Sequence, residues 1–125
     1  CVVIGNADAH AKNLSLLHRP ERIELAPYYD LVPIIAIPDT LIAREPALRI
    51  GGAARIDRVD GGDFAELARA TGFGPRLVRP RVAAIADAAA QAVAQSAALH
   101  EAEGGDAATP AHAVRAIRDN ALRLR

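Results

Sequence analysis

Aromatic side chains are scarce in these 125 residues: two Tyr and two Phe, 3% of the whole. A core therefore has to be built from Ala, Leu, Val and Ile, and the 51% apolar content allows one. There is a single cysteine, Cys1, so no disulfide can close within the chain, and a reducing, cytoplasmic setting is expected. Neither sign of charge is in excess: fifteen Lys and Arg face fifteen Asp and Glu. Such a balance offers no basic surface for nucleic acid and no acidic tail, so no direct nucleic-acid contact is expected. The longest apolar stretch, residues 82–99, is mostly Ala and carries Asp87, Gln91 and Gln95, a poor membrane span. The opening Cys1-Val2-Val3-Ile4-Gly5 lacks the basic lead of a secretion signal. It also lacks an initiator Met and starts inside an apolar run, as a piece of a longer protein would.

The length suits one domain, residues 1–125, in two regions of different character. Residues 1–60 mix β-branched residues and turns. Residues 13–17 and 22–25 are candidate strands, joined by the turn His18-Arg19-Pro20-Glu21, and Pro27 ends the pairing. Residues 61–125 are rich in Ala and Arg and read as helices. Asp63 followed by Glu66 suggests a capping box opening a helix over 64–71, with Gly72 as its stop. A second helix starts near Pro75 or restarts at Pro80; Val78, Val82, Ile85, Ala89 and Val93 form its apolar stripe. Thr109-Pro110 reads as an N-cap with Pro at the first helical position, and Val114, Ile117, Ala121 and Leu124 line one side of a last helix. The fold expected is mostly α with a small β-hairpin.

The chemistry is concentrated in Gly5-Asn6-Ala7-Asp8-Ala9-His10-Ala11-Lys12-Asn13. Asp8 and Asn13 have the D-x-x-x-x-N spacing of phosphoryl-transfer catalytic loops. A carboxylate must reach the attacking hydroxyl, and an amide oxygen at the loop's far end must reach a Mg²⁺ on the nucleotide phosphates. A further carboxylate is needed from the next turn, and Asp30, in Tyr29-Asp30-Leu31, supplies it if the intervening strands form a hairpin. Mg²⁺ takes oxygen ligands, one or two carboxylates plus phosphate oxygens, which suits Asn13 and Asp30 and leaves Asp8 as base. Lys12 is the one lysine among fifteen basic residues, a compact point charge where phosphate would lie.

The blocks GNADAHAKN, NLSLL, LAPYYDL and LRIGG, in this order and spacing, resemble the C-terminal domain of HipA-type toxin kinases. The resemblance covers essentially the whole chain and is most specific over residues 4–31. It implies a kinase-like C-terminal lobe of an ATP- and Mg²⁺-dependent serine/threonine protein kinase, with a DNA-binding HipB-like antitoxin as partner and a protein bearing Ser or Thr as substrate. By the same resemblance Asp8 is the catalytic base, Asn13 and Asp30 hold Mg²⁺, His10 fixes the loop and Lys12 faces the phosphates. The family's N-terminal lobe, with its phosphate-covering loop and nucleotide-binding lysine, is not among these residues. Neither G-x-G-x-x-G nor G-x-x-x-x-G-K occurs, so this chain alone is expected to bind ATP weakly and to phosphorylate nothing.

Two other readings stand beside this one. Asp8, His10 and Asn13 also resemble the loop of aminoglycoside, choline and phosphatidylinositol kinases, which would change the acceptor to a small molecule or lipid. Alternatively the helices form a non-catalytic module that binds an antitoxin–DNA complex. Of Tyr28 and Tyr29, one is expected in the core and the other at the cleft. Gly61-Gly62-Asp63-Phe64 imitates a cyclic-dinucleotide synthase signature without its second acid and is read as coincidence. The arginines of residues 76–125 are read as solvated helix faces.

Overall fold

The computed structural model describes residues 1–125, the side chain of Thr109 excepted. Strands β1 (Leu16–His18) and β2 (Ile23–Leu25) form an antiparallel hairpin, and helices α1 (Gly61–Ala70), α2 (Pro75–Ala102) and α3 (Ala108–Arg123) follow. Single 3₁₀ turns at Val2–Ile4, Ala11–Asn13, Ile34–Ala36 and Ile56–Arg58 punctuate the first half. The architecture is the mostly helical one expected, with the hairpin beside the loop. The strands are shorter than residues 13–17 and 22–25 suggested, because Asn13 belongs to a 3₁₀ turn.

Leu16 faces Leu25, Leu17 faces Glu24 and His18 faces Ile23. Arg19 and Arg22 both reach the Glu24 carboxylate, at 3.0 and 2.8 Å, and Arg19 N–H bonds the Arg22 carbonyl to close the turn. Ala26 N–H donates to Ser15 O at 2.8 Å and extends the ladder toward Asn13. The hairpin is stapled locally, and it brings residues 26–30 back beside residues 12–15.

Helix α1 opens one turn earlier than the sequence suggests. Asp60 is the N-cap and accepts from Gly62 N and Asp63 N, while Asp63 accepts from Asp60 N at 2.9 Å. Asp63 is thus the reciprocal member of the box, and Glu66 lies inside the helix; an Asp can fill either role, and only packing decides. That packing comes from the Leu48–Gly52 block. Gly51 has φ 58°, and a Cβ there would stand 2.5 Å from Asp63 Cα, so backbone approaches backbone where only glycine fits. Gly52 N–H then donates to the other Asp63 oxygen at 3.1 Å. Gly72, at φ 79°, ends α1 as expected: Phe73 N–H returns to Ala68 O and Gly72 N–H to Arg69 O, a Schellman motif.

Helix α2 starts at Pro75 and runs through Pro80 unbroken. Its buried stripe is displaced from the expected one. Ala86 is fully buried, with Val82, Ala89 and Ala90 against the core, whereas Ile85 is 52% exposed. With small side chains nearly all round this helix, apolar spacing cannot fix its rotation; the closest approach falls on Ala86, where a backbone can come near without a void. Pro75–Ala102 is long and apolar enough to cross a membrane by length and composition alone; here it packs against α1 and α3.

Thr109 is not the N-cap expected of it: the helix begins one residue earlier, at Ala108 after the N-cap Ala107, and Ala108 N–H donates to Asp106 Oδ1 at 3.1 Å. Ile117, Ala121 and Leu124 are buried as expected, and Val114 is half-buried. The core gathers Val3, Ala7, Ile34, Ile56, Val59, Ala86, Ala121 and Leu124, all aliphatic. Neither tyrosine is part of it. Asn120, 5% exposed, donates through Nδ2 to Val2 O and Val3 O, both at 2.8 Å. Arg123 meets Asn120 Oδ1 and the Val59 carbonyl. These bonds hang the first turn of the chain, and the loop after it, on α3.

Candidate functional site

Three connections position the loop of residues 5–13. Gly5, at φ 71°, makes the entry turn, and a Cβ there would collide with the Ile35 side chain. The Ala7 carbonyl accepts from Ala47 N–H at 2.8 Å. Asn6, 3% exposed, is tied both forward to Asp8 and across to Asp30. After that the loop folds on itself: His10 N–H to Asp8 O, Asn13 N–H to His10 O, and Leu14 N–H to Ala11 O.

The hairpin returns the chain as the spacing required. Asn13 Nδ2 donates to Asp30 Oδ2 at 2.8 Å across a separation of seventeen residues. Tyr29 OH donates to Lys12 O at 2.8 Å and lies 3.1 Å from Ser15 Oγ, fastening the two segments a second time. Asp30 sits at φ 56°, the left-handed region that a short polar side chain tolerates better than most. This conformation turns the chain sharply between Tyr29 and Leu31.

Asp8 is exposed, and with Asp30 it borders a hollow of about 400 Å³ whose other walls include Asn6, Val32, Ile34 and Glu45. A smaller, apolar hollow of about 180 Å³ lies on the other side of Asn6, lined by Ala9, His10, Asn13, Leu14 and Tyr28 among others. Asp8 and Asp30 share the larger hollow, while Asn13 lines the smaller one and is joined to Asp30 by its hydrogen bond. Lys12 is exposed on the 3₁₀ turn. The His10 ring is half-buried; its Nδ1 is buried without a hydrogen-bond partner, and the loop's bonds at this residue run through its backbone. Tyr28 is 58% exposed and lines the smaller hollow, while Tyr29 is half-exposed and bonded to the loop, which corrects the expectation of a core tyrosine.

Mg²⁺ can be tested against this donor set by the chemistry of the atoms present. Asn13 is 8% exposed, and its Oδ1 is buried with no hydrogen-bond partner. A buried amide oxygen left without a partner costs on the order of 1–3 kcal/mol, and a hard cation satisfies such an atom. The bond from Asn13 Nδ2 to Asp30 Oδ2 holds the amide and the carboxylate side by side. Among the described residues no cluster of three or more His, Cys, Asp and Glu side chains is arranged for a metal. The donors fit a Mg²⁺ that shares its coordination with phosphate.

Asn6 and Glu45 were not foreseen as parts of this site. For Asn6 a signal existed, since two of the three asparagines in the chain occupy this one loop. For Glu45 there was none: it approaches only through the path of the irregular segment after Pro38.

A mostly helical lobe with one hairpin behind a short polar loop is the architecture of a HipA C-terminal region. The profile of the HipA-like C-terminal domain matches residues 1–97, and the chain belongs to that family. It is 38% identical over 94 residues to the protein named "Putative kinase Y4mE" of Sinorhizobium fredii, a match covering 75% of this chain and 22% of that protein. It is also similar to a chain in the Shewanella oneidensis MR-1 complex of HipA, HipB and operator DNA, with a TM-score of 0.79 and 26% identity. That likeness covers 98% of this chain and 29% of the other. The chain thus spans between a fifth and a third of the length of these relatives.

Proposed function

We propose that these residues are the catalytic-loop portion of an ATP- and Mg²⁺-dependent protein kinase that transfers the γ-phosphoryl group to a Ser or Thr hydroxyl. The observation that carries this reading is the pairing of Asn13 with Asp30, which leaves a buried amide oxygen beside a carboxylate, next to a hollow that Asp8 borders. Asn13 and Asp30 would hold Mg²⁺, which neutralises charge on the phosphate oxygens when bound. Asp8, exposed at the rim of the hollow, orients the acceptor hydroxyl and takes its proton as the oxygen bonds to phosphorus and ADP leaves. Lys12 supplies a positive charge toward the phosphates, and the His10 backbone holds the turn between base and ligand. The likeness to HipA in a complex with HipB and operator DNA supports a HipB-like antitoxin as partner, and a cytoplasmic setting belongs to the same proposal. The activity belongs to a longer chain that includes a nucleotide-covering lobe; residues 1–125 alone are expected to show no Mg²⁺-dependent turnover with labelled ATP.

The test is full-length protein incubated with γ-labelled ATP, Mg²⁺ and cell lysate. A labelled protein band is expected, with label on Ser or Thr after hydrolysis. Asp8→Asn should lower the rate by about 10²–10⁴-fold, the usual contribution of a positioned general base. Label appearing only in small molecules or lipid would overturn the protein acceptor. A cellular effect that survives Asp8→Ala and Asp30→Ala would favour the non-catalytic reading.

A further inference from the structure

We propose that Asn6 is a positioning residue that sets the metal-binding Asp30 relative to the base Asp8, an inference that rests on the phosphotransfer reading above. One buried amide uses both its ends. Its Oδ1 accepts the backbone N–H of Asp8 at 3.0 Å, and its Nδ2 donates to the backbone carbonyl of Asp30 at 2.9 Å. Asp8 and Asp30 come from separate turns of the chain, and this side chain bridges them. Asp30 is also the one non-glycine residue at positive φ among the described residues. A conformation of that kind persists where its surroundings over-determine it. Here the surroundings are two bonds: Asn6 Nδ2 on the Asp30 carbonyl and Asn13 Nδ2 on the Asp30 carboxylate. The first holds the peptide plane, and the second aims the carboxylate within it.

The residue type follows from this geometry. A planar amide carries an acceptor and a donor on opposite corners of one short, rigid group. Asp has the shape and two acceptors but no donor when ionised. Ser has a single oxygen that cannot extend to both partners, and Gln is one methylene too long for a packed site. Asn6→Asp therefore keeps the bond from Asp8 N–H and replaces the bond to Asp30 with two oxygens facing each other. It separates the two halves of the tie while leaving the volume unchanged.

The experiment uses full-length protein with Mn²⁺ in place of Mg²⁺ and a non-hydrolysable ATP analogue, and reads free Mn²⁺ by electron paramagnetic resonance. Asn6→Asp is expected to weaken Mn²⁺ binding by about 10-fold or more, the usual effect of removing a group that orients a metal ligand. In turnover assays the variant should need correspondingly more Mg²⁺, recover most of its kcat at saturating Mg²⁺ and keep the KM for the acceptor. A merely structural role would instead lower activity with the folded fraction, leaving the cation requirement unchanged. Asn6→Ser, which also loses the bond to Asp30, should show the same weakening if Asn6→Asp fails to fold. Mn²⁺ binding within about twofold of wild type in a folded Asn6→Asp or Asn6→Ser protein, against the loss expected of an orienting group, overturns the inference and leaves the phosphotransfer reading standing. Absence of nucleotide-dependent Mn²⁺ binding in the wild type overturns both.

Discussion

Tyr29 shows how much of this site depends on single atoms. Its ring is half-exposed and contributes little burial, yet its hydroxyl closes the gap between the strand return and the loop of residues 5–13 by donating to Lys12 O. Tyr29→Phe keeps the ring and removes that bond, so a loss of about 1 kcal/mol is expected. Hydrogen exchange at residues 11–14 should quicken more than exchange in α2. The approach of Asp30 to Asn13 was legible in the sequence because the two short strands between them read as a hairpin. What else they bond to was not. The orphaned Asn13 Oδ1 and the two-ended use of Asn6 depend on where a distant turn arrives, and no local pattern encodes that arrival.

Among the elements, the start of α1 separates two sequence patterns that look alike. Asp60…Asp63 and Asp63…Glu66 both satisfy the box, and the structure uses the former. Asp60→Ala should therefore cost about 0.5–2 kcal/mol. Glu66→Ala, on the exposed side of the helix, should stay within about 0.5 kcal/mol of wild type. Paired thermal melts of the two variants check this, and equal losses would restore the later cap. Chain stops were easier to read than starts. Gly72 and Gly104, at φ 79° and 88°, each lie where the chain must turn left-handed after a helix, a demand that singles out glycine. The hairpin was legible for a similar reason, since Pro20 and Pro27 bound it. The phase of α2 was not, because alanine on every side gives periodicity nothing to act on.

At the scale of the whole molecule, the loop of residues 5–13 and the last helix form one unit. Asn120 satisfies the carbonyls of Val2 and Val3, just before the loop entry at Gly5, and Leu124 and Ala121 fill the core beneath them. Asn120→Ala would strand the Val3 carbonyl, while Val2 O keeps its bond from Gly5 N–H, and a loss of about 1–3 kcal/mol is expected. Chemical denaturation should show it, with residues 2–7 losing exchange protection first. Unchanged protection there would mean that Ile35, Ala47 and the Asn6–Asp30 bond hold the loop without Asn120.

That tie spans 118 residues between Val2 and Asn120, so the loop near one end of this stretch lacks this anchor until the other end exists. On the ribosome, residues 5–13 would emerge early and wait, unseated, through the making of everything up to α3. Such an order of assembly acts as a built-in delay: half-finished chains carry Asp8, Asn13 and Asp30 and lack the scaffold that aims them.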